Sequence, residues 1–207
     1  MISNHPKILV ALFIAWLVLT PGGIDASSGP QAFGTTVVID PGHGGRDRGT
    51  YWGGVAEKTL TLNIARKVEA QLRARGIRTA MTRRSDVYRS LAARAAIANS
   101  FNRSILVSIH CNADPMHRAS GIETFYYGSG GWNLARSIHR RLDRKTAAND
   151  RGVKFASYAV LRHTGCPAAL VECGFLTAPR ERRLLTTPLY QDVIARAIAD
   201  GIAASIQ

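Results

Sequence analysis

From residue 35 onward, short apolar runs alternate with segments whose apolar residues recur every three or four positions, the pattern of strands and amphipathic helices in turn. Thr36 to Ile39 is a β-branched run that ends at Asp40-Pro41-Gly42-His43-Gly44-Gly45, which predicts a buried strand running into a glycine turn. Leu60, Ile64, Val68 and Leu72 recur every fourth residue and predict a helix that stops at Gly76. Ile77 to Met81 predicts the next strand, and Leu91 to Phe101, behind Ser90 as N-cap, the next helix. Ile105 to Ile109 predicts a buried strand ending in His110-Cys111-Asn112, and Ile122 to Tyr127 another. Leu134 to Ala147 reads as a helix, Tyr158 to Leu161 as a short strand, and Ala168 to Val171 as a buried strand ending in Glu172-Cys173-Gly174. Leu189 to Ile206 is the closing helix. The expected fold class is α/β, in one domain covering 35–207.

The first 26 residues depart from this pattern. His5 and Lys7 precede an unbroken apolar run from Ile8 to Leu19, followed by Pro21, Gly22, Gly23 and the small residues Ala26, Ser27 and Ser28. That is the order of a secretory signal, with cleavage expected after Ala26. A retained anchor is the competing reading, but the run is shorter than the roughly 20 apolar residues needed to span hydrocarbon. Residues 27–34, with Pro30, read as a short linker. Cleavage would remove one basic and one acidic residue, Lys7 and Asp25, so the excess of 27 Lys and Arg over 14 Asp and Glu belongs to the folded domain. A charge of +13 implies an anionic partner without choosing among nucleic acid, membrane surface and cell-wall polymer. Three cysteines, Cys111, Cys166 and Cys173, are too few for a disulfide framework and leave at least one thiol free. No Cys-x-x-Cys pair exists, so a metal site here must use histidine and carboxylate.

Three apolar strands each release a reactive side chain at or just past the carboxyl end: His43, His110 and Glu172. In open α/β sheets ligands bind beyond the carboxyl ends of strands, so these residues are expected to converge. A single histidine at a strand end is more often a hydrogen-bonded structural residue than a ligand, and three such coincidences on neighbouring strands favour a site. Two histidines invite an oxygen ligand, because catalytic zinc commonly takes three protein ligands. Glu57, opening the helix that carries Leu60, is the candidate, but a carboxylate there also suits the helix macrodipole, and spacing leaves both roles open.

The blocks VVIDPGHGGRDRGT (37–50), Glu57 with the following KTLTLNIA, MTRRSD (81–86), LAARAAIAN (91–99), SILVSIHCNA (104–113) and ALVECGFLT (169–177) together resemble the type 3 N-acetylmuramoyl-L-alanine amidases, in that family's order and spacing. The resemblance runs from about Thr36 to the C-terminus. It implies a mixed, mostly parallel central sheet flanked by helices on both faces. It also implies a zinc hydrolase that cuts the amide between the lactyl group of N-acetylmuramic acid and L-alanine in peptidoglycan. Carried over position by position, it assigns zinc binding to His43, Glu57 and His110 and catalysis to Glu172. Second ring-nitrogen partners for the histidines are not named by the motifs; Asp40 and Asn112 are the nearest candidates in sequence. Arg83 stands as a substrate contact or a bridge between carboxylates. Cys111 and Cys173 are expected to pack rather than react.

The chain is thus expected as an exported monomer of the periplasm or cell wall, with peptidoglycan as substrate, anionic wall polymer as a partner and no transmembrane segment after signal cleavage. A zinc peptidase acting on stem peptides and a non-catalytic wall-binding module are the rival readings. A nucleic-acid binder is not expected, since there is an export signal, only 7% aromatic residues and no nucleic-acid motif. Some relatives carry a long insertion after the second histidine ligand whose helix covers the zinc until a partner removes it. Here ten residues, Cys111 to Ser120, occupy that place, too few to plug a cleft.

Overall fold

The computed structural model describes residues 34–206. The signal read at 1–26 and the linker up to residue 33 lie outside the described residues. In chain order the elements are β1 (Thr36–Pro41), β2 (Tyr51–Trp52), β3 (Val55–Ala56), α1 (Glu57–Arg73), β4 (Thr79–Met81), α2 (Leu91–Asn99), β5 (Ser104–Asn112), β6 (Ile122–Tyr126), α3 (Ser129–Lys145), β7 (Asp150–Phe155), α4 (Ala159–Arg162), β8 (Ala168–Phe175), α5 (Pro179–Leu185) and α6 (Pro188–Ser205). Six strands form one sheet in the order β4-β1-β5-β8-β6-β7, and β2 and β3 form a separate hairpin. β4, β1, β5 and β8 are mutually parallel, β6 pairs antiparallel with β8, and β7 runs parallel to β6. The sheet is therefore mixed and mostly parallel, as expected.

Strand alternation assigns the two faces. Val37, Ile39, Val107, Ile109, Ala169 and Val171 point into the larger core, closed by α1, α3 and α6 through Leu60, Ile64, Val68, Leu134, Ile138, Ile194 and Ile198. Val38, Leu106, Ala168 and Leu170 point the other way and are covered by Ala98 of α2 and by Val160 and Leu161 at α4. Two residues further along the same strands on that second face stand Asp40, Ser108 and Glu172, and two beyond Ser108 stands His110. The helices there are short. They pack on the amino-terminal half of the face and leave a partly exposed trough at its carboxyl end, where His43, His110 and Glu172 are half-buried.

The predicted helices form for the stated reasons. Leu60, Ile64, Val68 and Leu72 are buried along one face of α1, and Ser90 Oγ accepts the Ala93 amide at 3.2 Å as the N-cap of α2. One predicted element is corrected: Tyr158 to Leu161 is not a strand but the cap and first residues of the single-turn helix α4. A short apolar run has no period long enough to separate the two, and burial of Val160 and Leu161 onto the sheet decides it. β7 was not predicted, because its sequence DRGVKF is polar and interrupted by Gly152, as edge strands often are. No helix among the described residues is long and apolar enough to cross a membrane.

α3 and α6 approach each other at Gly201, where a Cβ would fall onto the backbone of Ile138, and Ser137 Oγ donates to the Gly201 carbonyl at 2.7 Å. Gly201→Ala should therefore destabilise the fold by about 1–3 kcal/mol through overpacking, although alanine is worth about 1 kcal/mol more than glycine as a helix former. Urea denaturation of the variant checks this; a gain in stability would refute the close packing.

Candidate active site

The loop after β1 carries His43 in a left-handed conformation, φ 60°, between Gly42 and Gly44. Such a backbone is costly for a residue with a Cβ, of order 1–3 kcal/mol, so neighbouring contacts must hold it. Two buried arginines do so. Arg94, from the buried side of α2, donates Nη1 to Asp40 Oδ1 at 2.7 Å and to the Pro41 carbonyl at 2.6 Å, and Nη2 to the His43 carbonyl at 2.6 Å. Arg83, just after β4, donates to the carbonyls of Pro41 (3.0 Å), Gly42 (2.9 Å) and Lys58 (2.8 Å). Asp40 also accepts from Thr82 Oγ1 at 2.5 Å and Ser108 Oγ at 2.7 Å. Three successive carbonyls, those of Pro41, Gly42 and His43, are thus held by guanidinium groups.

The His43 ring is aimed by Asp47, whose Oδ2 lies 2.9 Å from Nδ1, while the Gly49 amide donates to Oδ1 at 3.0 Å. Nε2 then faces Glu57 Oε1 at 3.2 Å. His110 comes from β5, and its Nδ1 meets the same Glu57 oxygen at 2.9 Å. Glu57 is the first residue of α1 but is only 3% exposed; Oε1 also accepts the Cys111 amide at 3.0 Å and Oε2 the Thr50 amide at 2.9 Å. A carboxylate serving the helix dipole alone would stand in solvent, and this one is turned inward onto two imidazoles. The space is tight: a Cβ on Gly42 would strike the His110 ring, and one on Gly49 would lie 2.5 Å from His43 and 2.6 Å from Glu57.

Glu172 follows on β8 as the register partner of His110. Its Oε2 is buried with no hydrogen-bond partner among the described residues. Burial pushes its carboxyl up to about 7, His110 and His43 opposing and Glu57 and Glu123 reinforcing the shift. Burial would raise Glu57 as well, but His110 and His43 overcome it and hold that carboxyl well below the usual range. The two acids are therefore driven in opposite directions, one fixed as a carboxylate and one poised to exchange a proton near neutrality. Burial disfavours the charged imidazolium of both histidines, yet the carboxylates raise both: Glu57 first for each, then Asp47 for His43 and Glu172 for His110. His43, Glu57 and His110 each offer one donor atom within 4.8 Å of the others, the nitrogen, nitrogen and oxygen set that suits a divalent cation.

Residues 37–204 match the family model for N-acetylmuramoyl-L-alanine amidase. The chain belongs to that family. It is 36% identical to the N-acetylmuramoyl-L-alanine amidase LytC of Bacillus subtilis (strain 168) over 81% of this chain and 35% of that protein. It is 34% identical to the germination-specific N-acetylmuramoyl-L-alanine amidase of the same organism, over 82% of this chain and 78% of that one. The crystal structure of the N-acetylmuramoyl-L-alanine amidase from Clostridium difficile 630 superposes with a TM-score of 0.80 at 38% identity, covering 84% of this chain and 97% of that one. The chain spans 35% to 62% of the length of the first curated relatives it matches.

Within this amidase-family domain, the four residues singled out from sequence stand together, with His43, His110 and Glu172 on or just after the adjacent strands β1, β5 and β8 and Glu57 meeting them from α1. The candidates for the second ring nitrogen are corrected. Asp40 is engaged by Arg94, Thr82 and Ser108, and Asn112 donates to Glu123 at 2.5 Å; Asp47 performs the role for His43. Its signal in sequence is a carboxylate four residues after the histidine in a glycine-rich loop. Arg83 neither bridges carboxylates nor faces outward, since its donors end on backbone carbonyls and Thr61 Oγ1. Arg94 was missed altogether, although a charge on the helix face carrying buried Ala98 was legible. Removing one partner of a buried ion pair leaves the other uncompensated, at a cost of about 3–5 kcal/mol. Arg94→Met should lose that much stability by urea denaturation, and a loss under about 1 kcal/mol, the worth of an exposed pair, would show that Asp40 does not depend on it.

Proposed function

We propose that this chain is a zinc-dependent hydrolase of the amide between the lactyl group of N-acetylmuramic acid and L-alanine in peptidoglycan, with His43, Glu57 and His110 as metal ligands and Glu172 as the catalytic acid and base. The observation that carries it is the meeting of two imidazole nitrogens on one carboxylate oxygen beside the unpartnered buried oxygen of Glu172. The donor set fits zinc: neutral nitrogen and carboxylate oxygen ligands, one histidine already oriented by a carboxylate behind it, and no thiolate. Zinc held there supplies Lewis acidity toward an amide carbonyl and toward water.

Hydrolysis breaks the C–N bond, joins the oxygen of water to the acyl carbon and requires a proton on the departing nitrogen. Glu172 is suited to take the proton from water and hand it to that nitrogen, since its proton affinity near neutrality lets it do both. Asp47 keeps His43 turned so that Nε2 and not Nδ1 faces inward. Arg83 and Arg94 hold the loop that carries it. The excess of positive charge supports attraction to anionic wall polymer, and the apolar segment at 8–19 supports export with residues 1–26 as signal. We read the exported domain as a monomer.

Removing divalent metal with a chelator should abolish hydrolysis, and zinc should restore it. His43→Ala, Glu57→Ala and His110→Ala should each lower bound zinc measured after dialysis, whereas Glu172→Gln should keep near-stoichiometric zinc and lose turnover by about 10²- to 10⁴-fold. Full zinc occupancy in Glu57→Ala would return that residue to the helix-dipole role.

Digestion of purified sacculi by the zinc-loaded domain, with no added protein, should release new L-alanine amino termini and leave the glycan intact. The loop between β5 and β6 supports independence from an activator: residues 113–121 contain no helix, and Asp114 ties them by accepting the amides of Met116, Arg118 and Ala119. Release of D-amino acids would favour the peptidase, binding without turnover would favour the wall-binding module, and turnover only after a partner is added would overturn independence.

A further inference from the structure

We infer that Arg151 and Lys154, anchored by Glu123, form a carboxylate-binding site that takes a free carboxylate on the peptide side of the scissile amide. The inference rests on the amidase reading and adds to it which way the substrate lies. Sheet order supplies the direction: β1 leads into His43, β5 carries His110, β8 carries Glu172, β6 carries Glu123, and β7 carries Arg151 and Lys154. The acyl carbon belongs near the two histidines and the departing nitrogen near Glu172. The peptide that leaves with the nitrogen then continues over β6 and β7, the strands that follow β8 in the sheet.

What the peptide would meet there is built rather than incidental. Glu123 is the register partner of Glu172, and Lys154 that of Phe125, two positions further along β6, so all four project from the same face of the sheet. Glu123 is only 4% exposed, and it accepts from Asn112 Nδ2 at 2.5 Å, from Arg151 Nε at 3.1 Å and from Lys154 Nζ. One buried negative charge thus fixes two cations and leaves the cluster net positive. The Arg151 guanidinium is held a second time, with Cζ 5.0 Å from the Phe175 ring centroid. Among the described residues no acceptor takes a hydrogen bond from its Nη1 or Nη2, and the side chain is 34% exposed. A guanidinium pinned through Nε and a ring face, with its forked end open, presents the geometry that binds a carboxylate through two parallel hydrogen bonds. Lys154, 40% exposed, adds a point charge beside it. Tyr158 is stacked edge-on against Phe125, the register partner of Lys154, at 5.1 Å.

Distance limits which carboxylate can be reached. Neighbouring strands lie about 4.8 Å apart, which puts β7 about 10 Å from β8. An extended peptide advances at most about 3.6 Å per residue, so about three residues counted from L-alanine are needed to bring a carboxylate over β7.

Two synthetic substrates with a single variable test this: N-acetylmuramoyl-L-alanyl-glycyl-glycine with its C-terminal carboxylate free, and the same compound as the C-terminal amide. The wild-type zinc-loaded chain should prefer the carboxylate by about 10- to 100-fold in kcat/KM, the worth of a hydrogen-bonded charge. Arg151→Met should bring that ratio close to one, chiefly through KM, and Arg151→Lys should recover only part of it because the fork is lost. Thermal unfolding of each variant, with and without zinc, separates loss of fold from loss of recognition. No preference in the wild type, or an unchanged ratio in a folded Arg151→Met, would overturn the inference while leaving the amidase reading intact. Failure of the wild type to cleave the lactyl amide of either compound would sink both.

Discussion

The site depends first on buried guanidinium groups bonded to peptide carbonyls. Asp40 sits at the end of β1, and Arg94 reaches it from α2 while also gripping the carbonyls of Pro41 and His43. Arg83 grips Pro41 and Gly42 from the other side. A buried charge unpaired in this way would be prohibitive, and each is compensated by a carboxylate or by several carbonyl dipoles. The product is a loop whose shape cannot relax. His43 can therefore stay in a left-handed conformation that solvent-exposed loops would abandon, and Asp47 has a fixed imidazole to aim. The α2 helix, which carries none of the candidate catalytic residues, belongs to the site for this reason.

The second constraint is unequal cover of the sheet. Long helices close one face completely, and two short ones close half of the other. Because side chains alternate along a strand, neighbouring residues on β5 and β8 have opposite fates. His110 and Glu172 face the trough, while Cys111 and Cys173, one position later, face the closed core. Burial drives both thiols upward, and both pack among the apolar side chains of the closed core. Polarity on the open face is ordered across the strands: imidazoles first, then an acid of raised proton affinity, then a buried acid carrying two cations. That order, rather than any one residue, gives the trough a direction.

Much of this was legible in the chain read by itself. Periodicity revealed α1 and α6, β-branched runs revealed β1, β5 and β8, and the reactive residues at their ends marked the candidate site. These features depend on burial of one side of a local segment, which spacing records directly. Tertiary structure alone decided the rest. A polar edge strand such as β7 has no apolar signature, and the one-turn α4 has no period to read. Glu57 could have served a helix end or a metal, and only the approach of His43 and His110 from elements distant in sequence turned it inward. Asp47 in place of Asp40 behind His43, and Arg83 on carbonyls rather than carboxylates, follow from where the β1 loop meets α2 and β4. Such choices are made by long-range packing, in which each buried polar atom takes the partner the fold brings within reach, and a linear pattern carries no record of which partner that is.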